Sequence, residues 1–400
     1  MLYYGAVARN QKGGKSFIMQ AVAPFKEAVD IIKEEGGEIL KLCYQCGVCS
    51  VACPWNLVRS FIVRRIMHQA QLGLVDLEAE EMWLCATCGA CVQRCPRGVE
   101  VIDIMRALRR VIVEVGVAKV PDSLRIVVKN IASVGNPLGE PPEKRADWAE
   151  DLGVKTYTRG TELLYFPCCV PAYDPKLQKV ARATVNILKK ADVDFGILGV
   201  NETCCGESVR KGGNESLFQS LARTNISAFQ EAGVSKIVTT SPHCYSTFKN
   251  EYPEFGGNFE VIHYSQYLAG LIKQGRLKLT KGLTKRVTYH DPCYLGRHNG
   301  IYDEPRQILE SIPGLKLVEM PDIREYALCC GGGGGRIWME TKKGERFSDL
   351  RIEQALEVGA SILAVACPYC MLNFEDSVLT SDKGEFIEIK DIAEIVQEAI

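Results

Sequence analysis

Eight cysteines between Cys43 and Cys95 repeat one phrase: Cys43, Cys46, Cys49 and Cys53-Pro54, then Cys85, Cys88, Cys91 and Cys95-Pro96, each reading C-x2-C-x2-C-x3-C-P. Three cysteines at every third position of a tight turn converge on one centre. The fourth, set off by three residues and followed by proline, points toward the neighbouring run. The pattern predicts two cubane [4Fe–4S] clusters side by side, each taking three thiolates from one run and the fourth from the other. Zinc sites are the competing reading, but zinc uses separated C-x2-C pairs and has no preference for a proline after the last ligand. A chain built around such a pair carries electrons.

The other ten cysteines form a second repeat. Cys168, Cys204-Cys205-Gly206 and Ser241-Pro242-His243-Cys244 recur as Cys293, Cys329-Cys330-Gly331 and Cys367-Pro368-Tyr369-Cys370. The offset is 125 residues at the first three positions and 126 at the last two. Self-similarity at a fixed offset marks duplication within one fold. All 18 cysteines therefore belong to motifs. Thiols gathered in ligand motifs, rather than in a short disulfide framework, point to a reducing, anaerobic cytoplasm.

Four hundred residues exceed one ordinary core and predict two or three domains. With 48 basic against 49 acidic side chains there is no large field to hold nucleic acid, which argues against it as a partner. No apolar run reaches the roughly 18 residues of a membrane span, and no signal-peptide core opens the chain. The expected location is cytoplasmic, with the inner membrane face reached only through a docking membrane partner. Residues 1–20 read as a flexible arm, and Met1 and Met19 both stand as candidate starts.

Residues 24–35 place Phe25, Ala28, Val29 and Ile32 on one helical face, and 57–71 is again helical in pattern. Val101, Ile104, Met105, Leu108, Val111, Ile112 and Val115 keep i, i+3, i+4, i+7 spacing. Residues 21–135 are thus predicted to form an all-helical two-cluster ferredoxin domain. An amphipathic segment at 123–131 runs into Asn136-Pro137-Leu138-Gly139-Glu140-Pro141-Pro142, and residues 136–162 are assigned as a linker. From residue 163 the rhythm becomes strand, helix, strand. Short apolar or β-branched runs at 163–166, 236–240, 286–289 and 362–366 each end in a cysteine-bearing turn, with helices between them at 177–190, 215–231 and 350–358. The alternation predicts two duplicated doubly wound α/β lobes, 163–285 and 286–400, whose ligands sit beyond the carboxyl ends of the strands. The fold class is therefore α + α/β.

From about residue 38 onward, the double ferredoxin run followed by two Cys-Cys-Gly repeats resembles the heterodisulfide reductase D subunit and the fused C and B subunits of its soluble relative. The layout is also similar to iron–sulfur subunits of anaerobic glycerol-3-phosphate dehydrogenase, of lactate-utilisation and sulfite-reduction membrane complexes, and of bifurcating benzoyl-CoA reductase. The resemblance implies a noncubane [4Fe–4S] cluster at a complete Cys-Cys-Gly motif, two fused units on five thiolates, where a disulfide can be cleaved. Carried over by position, Cys293, Cys329, Cys330, Cys367 and Cys370 match that set. The first lobe departs from it: Ser241 stands where the fourth ligand belongs, and Cys169 is an extra thiol where the second lobe has Tyr294. Serine holds iron poorly compared with thiolate. The first lobe is left with three readings: a cluster on Cys168, Cys204, Cys205 and Cys244 with Cys169 added, zinc on Cys168, Cys204, Cys205 and Cys244, or no metal. One or two noncubane clusters are thus expected.

The run Gly331 to Gly335 lacks the Walker arrangement, because Arg336-Ile337-Trp338 follows it. Gly206, Gly331 and Gly332 are instead assigned to letting backbone approach a bulky cluster and donate N–H groups to sulfur. His290 and Asp291, beside Cys293, either supply protons to a leaving thiolate or orient a ligand; the same pair of readings covers His243 and His263. Eight arginines between Arg59 and Arg110, with no lysine among them, form either a docking face for an acidic flavoprotein or a solvated face that balances cluster charge. No G-x-G-x-x-G fingerprint opens a helix, so electrons must come from another subunit. The expected function is an iron–sulfur electron-transfer subunit of an anaerobic multi-subunit oxidoreductase, with flavin-containing and other iron–sulfur subunits as partners. Two cubanes would feed the Cys293 lobe, where a disulfide is cleaved or electrons pass on. The alternative is a non-catalytic relay in a quinone-linked dehydrogenase or a flavin-based bifurcating complex.

Overall fold

The computed structural model describes residues 23–381 and 383–400; the arm expected at 1–20 lies outside them. Residues 23–135 contain helices and turns and no strand. Helix Lys26–Ile32 runs into a π-helical turn, Lys33–Gly37, which ends where Gly36 takes φ 101°. The helix expected at 57–71 starts later, at Val63, and ends at Leu72. Its first turn is taken by a separate 3-10 turn, Pro54–Leu57. Asn56 fixes that break: its amide donates to the carbonyls of Ser50 and Phe61 and its Oδ1 accepts from Phe61 N–H, so the chain is tied before the helix begins. Helix Val101–Glu114 buries Val101, Ile104, Met105, Leu108, Val111 and Ile112, the face its spacing dictates. Helix Asp122–Val134 follows.

The remainder holds two four-stranded parallel sheets. Strands β1 (Leu163–Phe166), β2 (Phe195–Gly196), β3 (Lys236–Thr239) and β4 (Glu260–His263) run in the order β2-β1-β3-β4. Strands β5 (Arg286–Tyr289), β6 (Lys316–Leu317), β7 (Ile362–Val365) and β8 (Glu388–Asp391) repeat it as β6-β5-β7-β8. Central strands β1 and β7 are buried along their whole length, as parallel strands covered on both faces must be. The lobes share a core. Leu163, Tyr165 and Val238 of the first pack in one cluster with Val287, Tyr289, Ile362 and Ala364 of the second. Tyr264 of the first lobe donates to Asp391 of the second at 2.6 Å.

The segment read as a linker is packed. Pro142–Leu152 forms an 11-residue 3-10 run whose Trp148 and Ala149 enter that shared core, with the Trp148 ring edge-on to Tyr165. Its Arg145 is buried and paired with Glu202 at 3.2 Å.

Candidate metal centres

The two ferredoxin runs fold alike, residue for residue. Gln45 and Thr87 both take positive φ, as do Gly47 and Gly89, each two positions further on. Gly47 and Gly89 then cap the short helices Val48–Val51 and Ala90–Gln93. These left-handed steps turn three thiols of each run inward. Two cavities result, one lined by Cys43, Cys46 and Cys49 with Cys95, the other by Cys85, Cys88 and Cys91 with Cys53. The crosswise sharing expected from the spacing is the arrangement of the sulfurs. Burial and then the neighbouring thiols Cys85, Cys88, Cys53 and Cys49 push the Cys91 thiol well up. Such a set ionises together only around a cationic core, so the donors fit iron–sulfur clusters.

In the second lobe, Cys330 and Cys370 lie 3.3 Å apart at Sγ, and Gly331 N–H donates to Cys329 Sγ at 3.3 Å. The contacts continue from Cys293 to Cys329, Cys330, Cys370 and Cys367. All five are buried beyond the carboxyl ends of β5 and β7. His290 is fully buried, its ring nitrogens have no hydrogen-bond partner of good geometry among the described residues, and its ligand atom lies within 4.8 Å of those of Cys330 and Cys370. In the first lobe, Cys205 and Cys244 lie 3.4 Å apart, and Gly206 N–H reaches Cys204 Sγ at 3.4 Å. Cys169 meets Cys204, Cys168 meets Cys244, and Arg145 Nη1 lies 3.6 Å from Cys169 Sγ.

The sets adjoin. Cys88 of the ferredoxin region makes a side-chain contact with Cys329, which is the largest cause of its raised pKa. Arg297, buried beside Cys88, Cys293 and Cys329, donates to the carbonyls of Cys88 and Ala327. The glycine run has a second use here. A Cβ on Gly333 would stand 2.3 Å from the Ala86 carbonyl oxygen, and one on Gly334 2.4 Å from that of Cys85, so only glycine lets this loop lie on the ferredoxin turn. At Gly332 a Cβ would come 3.0 Å from the Asn373 amide.

Between the two lobes lies a buried polar group that sequence reading largely missed. His243 Nδ1 is 3.2 Å from Glu207 Oε1, its ring lies 4.1 Å from Tyr294 and 4.7 Å from Tyr369, and its side chain bonds Cys367 of the opposite lobe. Burial opposes the charged ring, but Glu207 and Cys367 carry its pKa up to about 10, and Glu207 falls to about 2. Tyr294 in turn bonds Thr87 at 2.9 Å. The available signal was the position of Glu207, directly after Cys-Cys-Gly. His263, by contrast, is structural: its Nδ1 accepts from Ser265 N–H and its Nε2 reaches the Thr240 carbonyl.

The 4Fe-4S dicluster domain family matches residues 39–99, and the cysteine-rich domain family matches 163–249 and 287–375. The chain is 39% identical over 330 residues to the probable iron-sulfur-binding oxidoreductase FadF of Bacillus subtilis, and 38% identical over 294 residues to the EtfAB:quinone oxidoreductase of Syntrophomonas wolfei. These alignments cover 80% and 70% of this chain but 47% and 41% of those relatives, so the chain spans about half their length. It is 35% identical over 311 residues to the D subunit of the dihydromethanophenazine:CoB--CoM heterodisulfide reductase of Methanosarcina barkeri, covering 76% of this chain and 74% of that one. Among the described residues no helix is long and apolar enough to cross a membrane. Matched by both domain families and 35% identical to a heterodisulfide reductase D subunit of which it covers 74%, this chain belongs to the family of iron–sulfur oxidoreductases that includes that subunit.

Proposed function

We propose that the protein is the electron-transferring subunit of a larger oxidoreductase complex, taking electrons from a flavin-containing partner and delivering them to a reactive site in the second lobe. Bound at these cysteines, two cubane clusters and a noncubane cluster supply one-electron transfer. The contact of Cys88 with Cys329 carries the reading. In this reading electrons pass from the set Cys43, Cys46, Cys49 and Cys95, whose Cys46 is exposed, to Cys53, Cys85, Cys88 and Cys91, and from there to the Cys293 lobe. A cleft of about 310 Å³ opens onto Cys330 between Trp55, Arg336, Trp338 and Phe347, which supports reduction of a small acceptor at that lobe, a disulfide foremost. His290 faces Cys330 beside Phe374, and because burial lowers its pKa it is placed to donate the N–H of a neutral imidazole to a thiolate that leaves.

The test uses anaerobically prepared holoprotein of the Cys330→Ser variant, reduced and then mixed with a disulfide or with a quinone. The cubanes should reduce normally but stay reduced with either acceptor. Reoxidation at the unaltered rate would overturn the order of sites. In the unaltered protein, oxidation by quinone alone would assign the chain to relay rather than disulfide cleavage.

A further inference from the structure

The sheet register shifts the internal duplication by one residue at the first cysteine. Tyr165 of β1 stands opposite Val238, and Tyr289 of β5 opposite Ala364, while Val238 and Ala364 occupy equivalent places ahead of Ser241 and Cys367. Tyr165 therefore matches Tyr289. Two residues after Tyr165 comes Pro167, whereas Pro292 follows Tyr289 by three, so Cys169, not Cys168, falls on Cys293. The turns agree: Ala172 N–H bonds the Cys168 carbonyl at 3.2 Å, as Gly296 N–H bonds that of Pro292 at 2.9 Å. Sulfur contacts agree as well, since Cys169 meets Cys204 as Cys293 meets Cys329.

Cys168 is then the additional thiol, and it sits at the other end of the set. The second lobe's contacts run Cys293, Cys329, Cys330, Cys370, Cys367; the first lobe's run Cys169, Cys204, Cys205, Cys244, Cys168. Cys168 thus stands in the series where Cys367 stands. The residue in Cys367's sequence position, Ser241, is 1% exposed and its Oγ has no hydrogen-bond partner among the described residues. Cys168 reaches the set from a backbone at φ 76°, ψ 160°, a region side-chain-bearing residues avoid, and Cys293 has no such conformation. Buried Arg145, against Cys169, supplies positive charge beside the five sulfurs.

We propose that the first lobe is a complete five-thiolate iron–sulfur site, in which Cys168 takes the place left by serine at position 241. Five soft donors around one centre suit a cluster and exceed the four of a structural zinc site. The chain would then carry two equivalent centres facing one another across His243 and Tyr369. The inference rests on the proposed five-thiolate cluster of the second lobe, and its test is kept separate by reading metal content rather than electron flow.

Iron, sulfide and zinc are measured, with paramagnetic spectra, on anaerobic holoprotein in the Cys330→Ser background, where the first lobe's signal stands apart from the second's. Cys168→Ala should lose the first lobe's iron and signal entirely, and Ser241→Ala should lose neither. The double change Cys168→Ala with Ser241→Cys, which moves the fifth thiolate to its ordinary position, should restore both. Unchanged iron in Cys168→Ala, an equal loss in Ser241→Ala, zinc in place of iron, or no restoration in the double variant would overturn the assignment.

Discussion

Arg109 has no exposed surface and no carboxylate partner among the described residues, yet it joins three parts of the molecule. Its Nε donates to the Met82 carbonyl, Nη2 to Cys85, and Nη1 to Lys211 of the first lobe and Gly334 of the second, all at 2.8–3.0 Å. Burial lowers its pKa, but four carbonyl dipoles and the Trp83 ring beneath it hold the charge. Arg109→Ala would leave those carbonyls unpaired and a cavity at the junction. The expected loss is about 3–5 kcal/mol, read as a lower urea midpoint for the anaerobic holoprotein, and a wild-type midpoint would show that Arg109 is no staple. Arg110, next to it, points instead to Glu215 and the Glu35 carbonyl. The sequence contained the distinction: Arg109 is i+4 from Met105 and lies on the apolar stripe of helix Val101–Glu114. Reading the eight arginines by composition alone obscured it, because charge counted along a chain carries no facing. The grouping of the cysteines was legible for the opposite reason, since their spacing is itself the geometry.

Each lobe closes with the same device, a last strand that ends in the cap of a helix. His263, the last residue of β4, caps helix Tyr264–Lys273 with Gln266 reciprocating, and Asp391, the last of β8, caps Ile392–Ala399 with Glu394. The caps differ in charge. Asp391 is fully buried, and burial raises its pKa to about 8 although Tyr264 O–H and Ala393 N–H both donate to Oδ1; its Oδ2 has no hydrogen-bond partner among the described residues. The unfolded carboxyl titrates near 3.9. Below that value both states hold the proton and nothing is lost. Between about pH 4 and 8 the unfolded state releases it while the folded state retains it, so stability falls as pH rises through this window. Asp391→Asn keeps the Oδ1 acceptor without the proton, and its urea midpoint from pH 5 to 8 should fall less than that of the unaltered protein. Parallel curves would show that the carboxyl is ionised in the fold. At this scale the central strands β1, β3, β5 and β7 could be read from their apolar runs. The two-residue edge strands β2 and β6 could not, since two residues carry no period. Nor could Pro142–Leu152, whose polar, proline-led sequence reads as linker until the shared core supplies a place for Trp148.

Across the whole molecule, the proposed order of centres rests on contacts between residues far apart in sequence, such as Cys88 with Cys329, which no local pattern announces. Duplication told how many sites to expect but not which of them touch. The same packing leaves one end of the series open. Cys46 is the one ferredoxin cysteine that is exposed, and Tyr44, Val51, Leu57 and Tyr326 lie uncovered, the last three with Cys46 along one groove. Of the eight arginines, Arg59, Arg65, Arg106 and Arg110 are taken up in ion pairs and Arg109 is the internal staple. Arg64, Arg94 and Arg97 remain without a carboxylate partner among the described residues; Arg64 and Arg97 line the cavity of Cys46, and Arg94 lines the groove beside it. With acidic and basic residues nearly balanced over the chain, this local excess decides how a charged donor approaches. On the proposed function, the donor that fits this face is an acidic reduced flavoprotein, apolar contact setting the position and the arginines the rate of encounter. Arg64→Glu with Arg97→Glu should slow reduction of the ferredoxin-domain iron–sulfur clusters on the order of tenfold at low ionic strength. The difference from the unaltered protein should shrink as added salt shortens the screening length from about 10 Å at 0.1 M toward about 3 Å at 1 M. Stopped-flow traces with the iron content of both proteins held equal separate docking from cluster loss, and equal rates at every salt concentration would place electron entry on another face.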